Sequence, residues 1–379
     1  METAFWICLA IVLYTYIGYP VLLGVWARLR GRPVRKGDFR GSYSILLAAH
    51  NEEANIERRL NEMIGQVRKC GLSAEILVLA DGCTDKTVAI AEAFGPPVRV
   101  LDWRQKRGKA AALSDGAAAA TGDILLFADA RQTWADDTIP QLLGNFADPE
   151  VGAVSGDLVL ESSPGVMAGV GLYWRFEKWL RKQESRIHAQ VGVTGAISGV
   201  RRMLFAPIPP GTLLDDVYWP LQVALAGHRV VHDETAKAHD RLPEKSSAEF
   251  RRKVRTLAGN FQLAWMVPRS LLPWRNPVWL AWVSRKLMRL VVPWALLGLL
   301  VTTAFLGGPH HWFLGIQVAA YLLALAGMTS AAGRFRLAGA AGSFLVLNAA
   351  AWCAFWVWIS GRAGNSWAKI DYRELPASG

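Results

Sequence analysis

The chain has 379 residues, of which 52% are hydrophobic and 19% charged. A mean hydropathy of +0.19 is too apolar for an ordinary soluble enzyme, yet the charged fraction is ample for one aqueous domain, so the composition describes a mixed membrane and aqueous protein. The net charge of +11 comes from basic residues that are scattered or lie beside apolar stretches, without the interleaved aromatics of a single-strand binder. That excludes nucleic acid in favour of anionic lipid and a phosphate-bearing substrate. Four cysteines, at 8, 70, 83 and 353, have no metal-type spacing, which argues against both a zinc site and a disulfide framework.

Residues 3–26 are almost wholly apolar and are followed by Arg28, Arg30, Arg32, Arg35 and Lys36. The length suits a bilayer-spanning helix with its basic flank on the cytoplasmic side. A cleaved signal peptide would carry its positive charge ahead of the apolar run. Residues 44–49 then form a short apolar run ending in His50-Asn51-Glu52-Glu53, and Ile56, Leu60, Met63 and Ile64 recur with helical spacing. The pattern strand, polar turn, helix repeats at 75–80, with Asp81-Gly82-Cys83-Thr84-Asp85 as the turn. It continues with a strand at 98–101, an alanine-rich helix at 109–120 and a strand at 124–128 that runs into Asp129. Strands alternating with helices at this spacing predict a mainly parallel, Rossmann-like α/β sheet covered on both faces. Further on, the pattern predicts a helix over 136–146, a strand near 151–160, and a long helix containing Tyr173, Trp174, Phe176, Trp179 and Leu180. A glycine-rich stretch at 191–199, a helix opening at Leu213-Leu214-Asp215-Asp216-Val217 and a last strand at 229–232 follow.

After residue 249 the character changes. Residues 250–289, rich in Trp, Leu, Pro and Arg, read as an interfacial amphipathic segment. Apolar spans are predicted at 290–306, 312–328 and 337–360. The predicted organisation is therefore an N-terminal span and flank (1–37), a cytoplasmic catalytic domain (38–249), the interfacial segment (250–289), about three spans (290–362) and a tail (363–379). An odd number of C-terminal spans would put Arg362, Lys369 and Arg373 outside, against the positive-inside tendency.

Three constellations could carry chemistry. Asp81 and Asp129 end successive strands, which predicts that they lie side by side at the carboxyl edge of the sheet, where ligands of open α/β sheets bind. Such oxygens suit a hard divalent cation bridging to phosphates, although a strand-end aspartate taken singly is commonly a helix cap or turn residue. Lys109, heading the next helix, is placed to neutralise a phosphate from the helix N-terminus; the alternative is a solvated lysine. Asp215 and Asp216 are adjacent carboxylates at a helix start, read either as helix-terminus charges or as a general base. The run Arg252-Lys253-Val254-Arg255 is a basic membrane-facing stretch or a phosphate clamp. The glycines of 191–199 lack the G-x-G-x-x-G spacing of a dinucleotide loop.

Taken together these residues resemble the membrane-bound inverting glycosyltransferases of family 2, with a GT-A catalytic domain, a group that includes polysaccharide synthases such as those of hyaluronan, chitin and poly-N-acetylglucosamine. Ala49-His50-Asn51-Glu52-Glu53 looks like the family's A-Y-N-E-E and Asp81-Gly82-Cys83-Thr84-Asp85 like its D-G-S-T-D. The stretch from Gly108-Lys109 to Asp123 matches its G-K-x-x-A-L-N-x-G-x-x-x-A-x-G-D, Asp129-Ala130 begins its D-x-D, and Leu214-Asp215-Asp216 is similar to its T-E-D. The resemblance covers about residues 42–255. It implies inverting sugar transfer from a nucleotide-diphosphate donor, UDP above all, to a hydroxyl acceptor, with Asp216, beside Asp215, as base. It further implies nucleotide-sugar contacts from Ala49, Asn51, Glu52, Asp81, Lys109, Asp129 and Arg255, with Asp81 on the nucleobase or ribose. Asp129 would hold magnesium or manganese at the diphosphate. Two positions depart from the pattern: Arg131 replaces the second aspartate of D-x-D, and the Q-x-x-R-W of polymer-forming members reads Arg252-Lys253-Val254-Arg255-Thr256. The expected partners are a nucleotide sugar, membrane lipids and a polysaccharide or lipid acceptor, ceramide-like or polyprenyl-phosphate, with the chain in a bacterial inner membrane. A catalytically silent membrane scaffold is the rival from another class.

Overall fold

A computed structural model describes residues 1–161, 168–241, 246–328 and 335–361. Arg362, Lys369, Arg373 and the rest of the predicted tail lie outside these. The strands are β1 (Tyr43–Ala49), β2 (Ala74–Asp81), β3 (Val98–Trp103), β4 (Ile124–Asp129), β5 (Thr133–Trp134), β6 (Val151–Glu161), β7 (Ile197–Arg201) and β8 (Arg229–Arg241), in the spatial order β3-β2-β1-β4-β7-β6-β8-β5. Strands β1 to β4 pair in parallel, β7 lies antiparallel between β4 and β6, and β8 runs parallel to β6. The sheet is thus mainly parallel, as the alternation predicts. The glycine-rich stretch, however, ends in a strand: β7 contributes Ser198 and Gly199, and a side chain at Gly199 would lie 2.8 Å from Leu126 Cδ2.

The strands are apolar on both faces because both are covered, the pattern of parallel sheets. Leu46, Leu77, Leu79, Leu125 and Phe127 point to one core, whereas Ile45, Leu47, Ile76, Val78 and Leu126 point to the other. The second core is closed by α1 (Glu53–Cys70), α2 (Thr87–Glu92) and α3 (Thr138–Gly144), through Ile56, Leu60, Met63, Ala91, Ile139 and Leu142. The first is closed by α4 (Lys109–Ala119) and α5 (Asp215–Leu225). The small residues of α4 let it approach closely: a Cβ on Gly116 would sit 2.7 Å from the Leu79 methyls. Gly122, at the entry to β4, is held tighter still, since a Cβ there would be 2.4 Å from the Tyr43 carbonyl carbon.

Helix α6 (Ala168–Ile187) precedes the glycine-rich loop, and α7 (Ser246–Met266) follows β8. Beyond it come a short helix at Trp279–Ala281, a π-helical turn at Trp282–Leu287 and α8 (Met288–Phe305), α9 (His310–Gly327) and α10 (Arg336–Ile359). Among the described residues three helical runs are long and apolar enough to cross a membrane: Glu2–Arg30, Trp279–Phe305 and Leu337–Ile359. Two readings change here. The second half of the predicted interfacial segment is continuous with α8, so that run begins at Trp279. The expected span at 312–328 is the 18-residue α9, which falls outside the three; its first turn carries His310 and His311 and its middle Gln317.

Candidate active site

At the carboxyl edge of the sheet the turns after β1 and β2 are stitched to each other. Asn51, at φ 54°, accepts the Thr84 N–H on Oδ1 at 2.8 Å, the Glu53 N–H reaches Asp85 Oδ2 at 3.1 Å, and the Lys86 N–H returns to Glu53 Oε2 at 3.1 Å. The Glu52 N–H bonds Thr87 Oγ1 at 2.8 Å, and Ala49 closes β1 with a buried side chain. Asp81 ties β2 to the loop before α4. It is 4% exposed, and its two oxygens accept the Arg107 and Gly108 N–H groups at 2.8 and 2.7 Å. The carboxylate therefore holds the turn that launches α4. It does not lie beside Asp129, because β1 intervenes between β2 and β4, a separation of about 10 Å at normal strand spacing.

Asp129 is presented to solvent by a braced turn. Arg59, wholly buried, donates from Nε to the Asp129 carbonyl at 3.2 Å, stacks over Trp134 at 4.7 Å and pairs with Glu62. Arg58 reaches the Ala130 and Arg131 carbonyls. The side chain of Asp129 is 33% exposed and takes the Lys109 ammonium on Oδ1 at 2.7 Å. Burial works against the Lys109 charge, but Asp129, Asp215 and Asp216 outweigh it and hold the ammonium above its ordinary range. Arg131 points to Asp240, at 2.6 Å, where Gln132 also donates.

Asp215 and Asp216 open α5 and are half-buried. The glycine-rich loop packs on this start: the Val193 N–H bonds the Asp216 carbonyl at 2.8 Å, and the Thr194 N–H bonds Ser155 Oγ at 3.0 Å. Gly195 stands between the two charged groups, since a Cβ there would lie 3.5 Å from Lys109 Nζ and 3.7 Å from Asp216 Cβ. A glycine thus leaves an opening between the Lys109–Asp129 pair and Asp216. Burial, reinforced by Asp215, pushes the Asp216 carboxyl up to about 6, near the operating range of a general base.

On α7, Gln262 accepts the Leu213 N–H at 2.9 Å and donates to the Gly211 carbonyl at 2.9 Å, while Gly259 packs on Leu214. Arg255 lies one turn before Gly259 and so on the same helix face, with its Nε buried and without a hydrogen-bond partner. Arg252 is exposed, and Thr256 Oγ1 turns back to the Arg252 carbonyl at 2.9 Å.

Whether a divalent ion fits is decided by the donor set. Among the described residues no three His, Cys, Asp or Glu side chains converge. Asp129 is a single exposed carboxylate, and hard cations of magnesium type use one or two carboxylates together with substrate phosphates and water. The edge fits an ion that arrives with a diphosphate, not one the protein grips alone.

Sequence reasoning missed Arg59, Ser155 and Arg181, which reach the site through hydrogen bonds to residues distant in sequence. Arg181 Nη1 donates to Thr194 Oγ1 at 3.1 Å.

Residues 44–206 match Glycosyl transferase family 2. The chain is 23% identical over 236 residues to the poly-β-1,6-N-acetyl-D-glucosamine synthase of Staphylococcus aureus, covering 58% of this chain and 55% of that protein. It is 34% identical over 97 residues to the dolichyl-phosphate β-glucosyltransferase of Drosophila melanogaster, covering 23% and 30%. The chain spans about half the length of the curated relatives it matches first. Its fold is similar to that of a mannosyltransferase from Pyrobaculum calidifontis solved with GDP-Man and Mn2+, with a TM-score of 0.70 and 21% identity over 95% of this chain and 99% of that one.

Proposed function

We propose, from the premise that residues 44–206 are a family 2 glycosyltransferase domain of GT-A fold, that the chain transfers a sugar with inversion from a nucleotide-diphosphate donor, UDP-linked in the first instance, to an acceptor hydroxyl at a membrane. The observation that carries this is the opening at Gly195, with the Lys109–Asp129 pair on one side and the raised carboxyl of Asp216 on the other. The acceptor oxygen bonds to the anomeric carbon as the bond from that carbon to the diphosphate oxygen breaks. The nucleoside diphosphate leaves with the electron pair, and the hydroxyl proton passes to Asp216. Lys109 neutralises the diphosphate from the head of α4. Asp129 would hold a divalent cation, magnesium or manganese, which when bound takes up charge on the leaving group. Asn51 and Glu52 shape the nucleotide edge, and Arg255 faces the Asp216 turn as a further phosphate contact.

The S. aureus relative is named for a polysaccharide product, and synthesis of a cell-surface polysaccharide is one use of such a site. The other is glycosylation of a lipid. Thr256 favours the lipid: it stands where polymer-forming members carry an acceptor-bordering tryptophan, and its hydroxyl is turned into its own helix. The three apolar runs support membrane integration with the sheet on the cytoplasmic side. A screen of labelled UDP- and GDP-sugars, with and without Mg2+ or Mn2+, reads nucleotide release, and solvent extraction of the product separates polymer from glycolipid. Release with none of the donors would remove the transfer reading.

A further inference from the structure

Two π-helical turns occur among the described residues, at Tyr14–Gly18 and at Trp282–Leu287, and they meet. The Tyr14 hydroxyl bonds Ser284 Oγ at 2.7 Å across them, and Tyr19, the residue after the first turn, donates to Glu184 Oε1 of α6 at 2.8 Å. Arg285, in the second turn, brings Nε to within 3.0 Å of the same Glu184 oxygen and Nη1 to within 3.5 Å of Glu177. Tyr19, Glu184 and Arg285 are each 2% exposed or less. One carboxylate of α6 is thus shared by the Glu2–Arg30 and Trp279–Phe305 runs, and π-helical turns recur at functional sites.

The other carboxylate oxygen and the other arm of the guanidinium reach out of this cluster to one residue of the glycine-rich loop. Glu184 Oε2 accepts the Val191 N–H at 3.4 Å, and Arg285 Nη2 donates to the Val191 carbonyl at 2.6 Å. Val191 is 2% exposed and lies outside β7, so this pair answers for both of its backbone groups. Two residues on, the Val193 N–H holds the Asp216 carbonyl at 2.8 Å. Between them Gly192 sits at φ 87°, and a Cβ there would lie 3.0 Å from Val217 Cγ2 and 3.4 Å from the Asp216 carbonyl oxygen. Three buried loop residues therefore connect the ion pair to the backbone of Asp216. A role as glue does not account for the pair, because desolvation of two buried ions largely cancels their attraction and apolar replacements are often as stable. A guanidinium does here what an apolar side chain cannot, holding a carboxylate and a backbone carbonyl in one rigid fork.

We infer that Arg285 and Glu184 are positioning residues of the transfer site, which fix Val191 and through it the opening at Gly195 between Asp216 and the Lys109–Asp129 pair. Tyr19 extends the same hold to the N-terminal apolar run, so the width of the opening follows the packing of two helical runs that are long and apolar enough to cross a membrane. This rests on the transfer reading. Loosening Val191 lets water in beside Asp216 and moves the base relative to the acceptor oxygen, where displacements of about 1 Å are costly. It leaves Lys109 and Asp129 in place, since they are carried by α4 and β4.

Arg285→Lys and Tyr19→Phe, made in the full-length protein in detergent, test this, because neither alters the net charge. The charged groups around Asp216, namely Asp215, Lys109, Arg181 and Lys286, are likewise untouched. Lysine can pair with Glu184 but lacks the second arm to Val191. Arg285→Lys is expected to lower kcat of nucleotide release about tenfold or more with the donor KM within about twofold, and Tyr19→Phe to lower kcat about threefold. In both, the acid-side midpoint of the pH profile falls by about half a unit or more, because water beside Asp216 relieves the burial that raises its carboxyl. A kcat that is unchanged in Arg285→Lys, or that falls equally at every pH as a loss of folded protein would make it, overturns the positioning role. Hydrogen exchange separates the clamp from the chemistry: the amides of residues 191–195 are expected to exchange about tenfold faster or more in Arg285→Lys, with those of β1–β4 unchanged. Unaltered exchange in the loop overturns the clamp whatever the chain transfers, whereas release by the parent from none of the sugar donors fails the transfer reading alone.

Discussion

Asp216 is placed in an environment that disfavours its charge, and the same burial that would ready it as the proposed base works against the folded state. Its carboxyl is raised from 3.8 to about 6, so the folded protein holds this proton more tightly than the unfolded chain. The stability tied to it is complete below about pH 4 and is lost as pH rises through 6. Asp216→Asn is expected to lower turnover by about 10²–10⁴-fold with nucleotide affinity retained. It is also expected to raise the melting temperature at pH 7.5, a gain that disappears at pH 4. Turnover of the parent should fall on the acid side with a midpoint near 6, measured as the pH profile of nucleotide release. An Asn variant with unchanged turnover would remove the base. For the metal, equilibrium binding of Mn2+ is expected to need a nucleoside diphosphate, because Asp129 already holds Lys109 on Oδ1 and, among the described residues, no three His, Cys, Asp or Glu side chains converge; tight binding to the protein by itself would contradict that. The strand-end and helix-start carboxylates were legible because each is fixed by its own element. The hold of Asp81 on the turn before α4 was not legible, since the N–H groups it accepts lie 26 and 27 residues away.

The elements that carry these residues are held in register by helix α7, which the sequence describes only as basic and interfacial. A strand or helix is written in local periodicity, whereas the docking of α7 on the 211–214 turn depends on two hydrogen bonds of Gln262 and on the absence of a side chain at Gly259. Strand β7 escaped for a related reason, since glycine spacing carries little pattern and the strand exists only because β4 and β6 flank it. Gly259→Val would put a Cβ 2.5 Å from Leu214 Cγ and move the turn that launches α5. Displacements of about 1 Å at a reacting group can cost on the order of 10²-fold. The expected outcome is a kcat lower by about 10–100-fold with the donor KM within about twofold. Gln262→Ala should produce a milder form of the same split. A change in donor KM with kcat intact would mean that α7 serves the nucleotide edge instead.

Across the whole molecule, the boundary drawn from the change of composition at residue 249 runs through a single core. Ala258, Leu263, Val278, Trp282 and Ala354 are buried in the same cluster as Leu213, Trp219 and the strand residues Leu46 and Phe127. The N-terminal helix joins from the other side, with Tyr19 donating to Glu184 at 2.8 Å and Tyr14 bonding Ser284 at 2.7 Å. Composition marks where the chain becomes apolar enough to cross a membrane; it does not mark where packing ends. A fragment of residues 38–249 is therefore expected to fold poorly. Such a fragment lacks Arg285 and Arg289 and so strands Glu177 and Glu184, and breaking a buried pair costs about 3–5 kcal/mol, a loss on the order of 10 °C in melting temperature for a domain of this size. The opposite core, closed by α1, α2 and α3 next to the proposed nucleotide edge, contains none of the helices beyond residue 249. The fragment should retain measurable nucleoside diphosphate binding while its turnover falls below detection, and calorimetry of UDP binding alongside a release assay separates the two. A fragment that melts with the full chain and turns over donor would show that the apolar helices do not complete the proposed site.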